Sequence, residues 1–151
     1  MNKHRRTAQW LIGLGCFLVL AGSGLHLIAA YPRVSAALTP SNLDAGLKNA
    51  LRAVFAMIGL SWIVITVVTL IAAFATTRIS KLIVLFCGVA LLLQLPIWVG
   101  LMGWFIGNEL FLIAAAFIVI GGLFLPAVTR QNGMEGRALT DRPSGWHQKR
   151  S

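Results

Sequence analysis

Charged residues leave four long uncharged intervals in this chain, residues 7–32, 53–77, 82–108 and 110–129. About 20 consecutive apolar residues in an α-helix cross the hydrocarbon core of a bilayer, and each interval is long enough to do so. Lipid offers no partner to a backbone N–H or C=O, so such segments must satisfy their own hydrogen bonds as helices. With 58% hydrophobic and 11% charged residues and a mean hydropathy of +0.81, the composition excludes an ordinary soluble domain. The spacing predicts an all-α polytopic membrane protein, a four-helix antiparallel transmembrane bundle. Its spans fall at about 9–30, 51–75, 82–103 and 109–128 within a membrane domain of 9–129, preceded by a cytoplasmic segment 1–8. An outer loop covers 31–50, and residues 130–151, polar, low in aliphatics and containing Gly and Pro, read as a disordered basic tail.

The start of the chain, MNKHRR before an uncharged run, fits either a signal peptide or a first anchor. The apolar stretch from Trp10 to Ala30 is longer than the usual signal core of about 7–15 residues, which favours the anchor. A lipoprotein reading through Cys16 fails, because Gly13 stands where a large aliphatic residue is needed. Lys and Arg mark the cytoplasmic side of a span. Lys3, Arg5, Arg6, Arg78, Lys81, Arg130, Arg137, Arg142, Lys149 and Arg150 share one face, against Arg33, Lys48 and Arg52 on the other. Both termini are therefore expected in the cytoplasm, of a bacterial inner membrane. The net charge of +9 lies along membrane flanks, so the expected partners are the bilayer and its anionic headgroups at the cytoplasmic face, and not nucleic acid.

Within the spans, Gly13, Gly15, Ala21, Gly22, Ser23 and Gly24 predict close helix approach and a central place for the first helix. Tyr31-Pro32 reads as an interfacial aromatic and a helix stop. Ser41 with Asp44 gives a capping-box-like start, and Leu43, Leu47, Ala50, Leu51 and Val54 recur at helical spacing. That helix either lies in the interface and bends or runs straight into the second span, and it could form a lid over an outward pocket. In the third span, Gln94-Leu95-Pro96 combines an amide that needs a partner with a residue that kinks helices. Gly103 and Gly107 form a GxxxG at the helix end, and Gly107-Asn108 reads as the tight hairpin into a fourth span beginning at Glu109. Cys16 and Cys87 fall at similar depth and read as small apolar fillers; a redox or metal pair would require their helices adjacent and the thiols facing.

Few groups able to do chemistry remain. His26 and Glu109 lie toward the outer face and would pair if spans one and four pack together; otherwise His26 reaches the interface and Glu109 serves the helix dipole. A proton-coupled multidrug exchanger needs a carboxylate in its first helix, a quinone-linked thiol oxidase needs a CxxC, and a b-type haem bundle needs facing axial histidines. The chain has none of these, His26 being its one membrane histidine beside His4 and His147 in the flanks. Nor does it carry HExxH, GxSxG, a phosphate-binding loop or the inner polar set of membrane glutathione enzymes. No cofactor or metal is expected. The sequence therefore favours a non-enzymatic protein of membrane assembly or protein–protein interaction, as a homo-oligomer or beside a larger partner. The alternative is a small transporter or apolar-ligand carrier whose outward site is formed by His26, Gln94, Trp98 and Glu109 under the 41–51 helix.

Overall fold

A computed structural model describes residues 3–75, 78–103 and 106–126, and every element among them is helical. Helix α1 covers Lys3–Leu25 and passes through a π-helical turn, His26–Ala30, into α2, Tyr31–Leu38. Helices α3, α4 and α5 follow at Ala45–Phe74, Arg78–Met102 and Ile106–Phe124. Four of these helical stretches, with α1 to α2 counted as one of 36 residues, are long and apolar enough to cross a membrane. They suggest a multi-pass membrane protein. Large apolar side chains face outward along all four, among them Trp10, Phe17, Val64, Phe86, Ile97 and Leu123.

The first span does not end at Tyr31-Pro32, as the sequence suggests. Proline lacks a donor, and its ring would strike the carbonyl four residues back, that of Ile28. Here the Tyr31 N–H reaches the carbonyl of His26, one residue further than in an α-helix, and the widened turn carries the helix past the proline. At about 1.5 Å per residue the 36 residues extend about 54 Å, well beyond a hydrocarbon core of about 30 Å. The loop expected at 31–50 thus shrinks to 39–44. Helix α3 runs straight into the second span, and its N-cap is Asp44, whose side chain accepts from the Leu47 N–H at 3.0 Å, in place of the expected Ser41. Ser41 Oγ instead donates back to Leu38 O at 2.6 Å. Lys48 Nζ donates to Thr39 O, and Arg52 to Ser35 O and Thr39 Oγ1, so these two cations tie the end of α2 to α3.

The third span starts at Arg78 and stays helical through Pro96. It stops at Gly103, whose φ of +75° suits glycine and whose N–H bonds to Val99 O at 2.9 Å. The turn into α5 therefore lies at Gly103 and not at the expected Gly107-Asn108, which sit inside the first turn of a helix that begins three residues before Glu109. Asn108 Nδ2 donates to Gly103 O at 2.9 Å and holds this turn. The expected tail, 130–151, and the connection at Thr76-Thr77 lie outside the described residues.

Helix α1 packs on α5 and α3, and α4 on α5 and α3, so the four long helices surround a shared core. Gln9 Nε2 meets Ala73 O at 3.2 Å and His26 meets Phe55 O at 2.8 Å, so the start of α1 lies beside the end of α3 and its end beside the start. At the end that carries Lys3 and Lys81, polar side chains satisfy helix-terminal carbonyls: Gln9 that of Ala73, Arg5 that of Phe74 and Lys81 that of Leu123. Between these ends the core is dense, with Ile12, Val19, Val84, Leu91, Ala114 and Ile118 at most 1% exposed. Thr66, Thr69 and Ser23 are buried there too, each hydroxyl donating to the carbonyl four residues back.

Glycine sets the helix contacts, but of the four glycines the first span advertises only Gly15 does so. A Cβ on Gly15 would lie 2.6 Å from Ala114 O, and one on Gly121 2.6 Å from Ile12, so α1 and α5 approach reciprocally. Gly13, Gly22 and Gly24 have open space where a Cβ would go and take no part in this packing. Cys16 and Cys87 are buried free thiols, with Cys16 Sγ 4.0 Å from Thr66 O.

Candidate functional site

The packing is not dense throughout. Toward the Gly103 turn the four long helices border a partly open cavity of about 380 Å³, within the range of small-molecule sites. Helix α1 with its π turn supplies Leu18, Ala21, Gly22, Leu25, His26 and Ala30; α3 supplies Phe55 and Trp62; α4 supplies Leu95 and Trp98. From α5 come Ile106, Gly107, Asn108, Leu110 and Phe111. No Asp, Glu, Lys or Arg is among them. Small residues of α1 face a wall of rings on α3, α4 and α5, and this mismatch of side-chain volume leaves the space unfilled.

The rings hold one another. His26 stacks on Phe55 with centroids 4.1 Å apart, meets Trp62 edge-on at 5.2 Å and Trp98 at 6.4 Å. Trp62 lies 5.9 Å from Trp98 and 5.0 Å from Phe111. These separations are those of offset and edge-to-face pairs, each adding about 0.5–1.5 kcal/mol beyond area burial. His26 reaches Phe55 because residue 59 of α3 is glycine: a Cβ there would lie 2.8 Å from Leu27 Cγ and 3.0 Å from His26 Cδ2. The carbonyl of Phe55 can only accept, so the His26 proton toward α3 is on Nε2.

The four residues singled out from the sequence divide. His26 and Trp98 line the cavity on opposing helices. Gln94 does not; its Oε1 accepts from Trp62 Nε1 at 2.8 Å, which joins α3 to α4 and fixes the indole from behind. Glu109 is exposed and stands outside the wall, although α1 and α5 do pack together; the His26 imidazole meets Phe55 in place of a carboxylate. The 41–51 segment does not cover the cavity: its residues 45–51 are the first turns of α3, and none of the segment is among the lining residues.

Sequence reasoning missed Phe55, Trp62, Phe111 and Asn108. Aromatics in an apolar helix carry no mark of the face they occupy, and Asn108 after Gly107 reads as a turn. Trp62 alone had a usable signal, since a buried amide at Gln94 demands a donor on a neighbouring helix. Among the described residues no three of His, Cys, Asp and Glu come together as metal ligands. No protein-family model matches the sequence, and neither a curated protein nor a solved structure is similar to it.

Proposed function

We propose that this chain is a non-enzymatic integral protein of the bacterial cytoplasmic membrane, an antiparallel four-helix bundle with both termini inside, that binds and carries an uncharged, mostly apolar small molecule. The cavity is the observation that carries this reading: an aromatic-walled space without an ionisable acid or base other than histidine, set among helices suited to lipid. Its place beside the Gly103 turn would put it toward the outer face if the Lys3 and Lys81 end faces the cytoplasm. Contact of the basic end with anionic headgroups belongs to the same reading.

Gly22 provides the test, because it lines the cavity and a Cβ there meets nothing. Protein in lipid nanodiscs, dialysed to equilibrium against protein-free nanodiscs of the same lipid, is expected to retain an excess of naphthalene. Gly22→Leu fills the space without a backbone clash and should lose most of that excess while keeping its helical circular dichroism. Wild-type protein that retains no more naphthalene than empty nanodiscs sinks the proposal.

A second reading, assembly as a homo-oligomer or beside a larger partner, is favoured by Gly13 and Gly24. They are 11 residues apart, close to three helical turns, and both have open space at the position where Gly15 meets a neighbour.

A further inference from the structure

The polar atoms on the cavity wall restrict what can occupy it. His26 spends Nε2–H on Phe55 O, and the ring edge formed by Cδ2 and Nε2 faces α3. Nδ1 lies on the opposite edge, and in the neutral ring with Nε2 protonated it is an acceptor. Asn108, 4% exposed, spends Nδ2 on Gly103 O. His26 Nδ1 and Asn108 Oδ1 have no hydrogen-bond partner among the described residues, and Arg52 Nε is the one fully buried unpaired side-chain atom there. Both acceptors therefore keep open surface on residues that line the cavity. Trp98, on the same wall, has an indole N–H that is also without a partner among the described residues.

Two acceptors and one donor within aromatic walls select by chemistry. A hydrocarbon would cover both acceptors without pairing them, which is unfavourable. A carboxylate or phosphate would set negative charge against lone pairs with no Lys or Arg among the described wall residues, and a cation would find no Asp or Glu among them. A hydroxyl both donates and accepts, so it can satisfy an acceptor and an indole N–H at once. Resting on the reading of this cavity as a ligand site, we infer that its occupant is a neutral ring compound bearing a hydroxyl, a phenol or hydroxylated ring headgroup, whose O–H donates to His26 Nδ1, with Asn108 Oδ1 as acceptor for a second donor. The ring lies among Trp62, Trp98 and Phe111.

The test compares 2-naphthol with 2-methoxynaphthalene, which keeps the rings and the oxygen but lacks the donor. The full chain in nanodiscs is dialysed against protein-free nanodiscs of the same lipid, so that partition into lipid cancels. Wild type is expected to hold the naphthol about tenfold more tightly than the ether, the equivalent of one hydrogen bond to an otherwise unpaired acceptor. His26→Phe preserves the stack on Phe55 and should bring the two probes to near equality; Asn108→Leu, as an independent variant, should leave a preference for the naphthol. Equal retention of both probes by wild type overturns the inference and leaves the apolar-ligand reading standing. Retention of neither overturns both, and a full tenfold preference in folded His26→Phe overturns the assignment of the acceptor.

Discussion

Gly13 and Gly15 are two residues apart in one helix, and their surroundings oppose each other. An added methyl group at Gly15 would be forced onto the backbone oxygen of Ala114 and the side chain of Ile118, whereas at Gly13 it meets nothing within 4 Å. Gly15→Ala should therefore destabilise the protein by about 1–3 kcal/mol, as overpacking does. Gly13→Ala should stabilise it by up to about 1 kcal/mol through helix propensity. Reversible unfolding in mixed detergent and dodecyl sulfate, followed by circular dichroism, reads both, and shifts of the same sign would contradict the packing described. The sequence advertises a small-residue surface on the first span but not which of its residues are used, because that depends on where α5 crosses. The same limit governs the cavity. His26, Gln94 and Trp98 were legible as rare polar or amphipathic groups inside apolar spans, while Phe55 and Phe111 looked like any lipid-facing ring. Asn108 is a polar residue whose place the sequence hides, since Gly-Asn reads as a turn unless the φ of +75° at Gly103 is known.

At the level of elements, the four long apolar helices were legible because charge spacing and hydropathy do not depend on tertiary contacts. Their ends were less so. Pro32 reads as a stop from local sterics alone; the π turn that carries the helix past it is stabilised by packing against α3, where His26 and Leu27 close over Gly59. The start of α3 turns on which of two nearby residues caps it. Asp44 accepts from the Leu47 N–H, while Ser41 turns back to Leu38 O. Asp44→Ala is expected to cost about 1 kcal/mol and to speed hydrogen exchange at the Leu47 amide. Ser41→Ala should leave that amide unchanged, and the reverse pattern would restore the capping box expected from Ser41.

For the whole molecule, the two ends differ in chemistry. One carries Lys3, Arg5, Arg6 and Lys81, of which Arg5 and Lys81 cap the last carbonyls of α3 and α5; the other carries Arg33, Lys48 and Arg52, two of them occupied in holding α2 to α3. Capping is local and would work in either orientation, so the direction of insertion rests on the number of cations flanking the spans. Residues 1–8, 78–81 and 130–151 together hold ten Lys and Arg against three in 31–52. In the proposed orientation the ten are retained on the cytoplasmic side, which would put both termini there and the 39–44 loop outside. A green fluorescent protein fused after residue 151 should therefore fluoresce, and alkaline phosphatase inserted in the 39–44 loop should be active, since the first folds in the cytoplasm and the second requires oxidation outside it. A dark terminal fusion together with an inactive loop insertion would reverse the orientation, and with it the outward position of the cavity. Binding in nanodiscs, where both faces are accessible, would be unaffected by that reversal, so orientation and ligand recognition are separable by measurement.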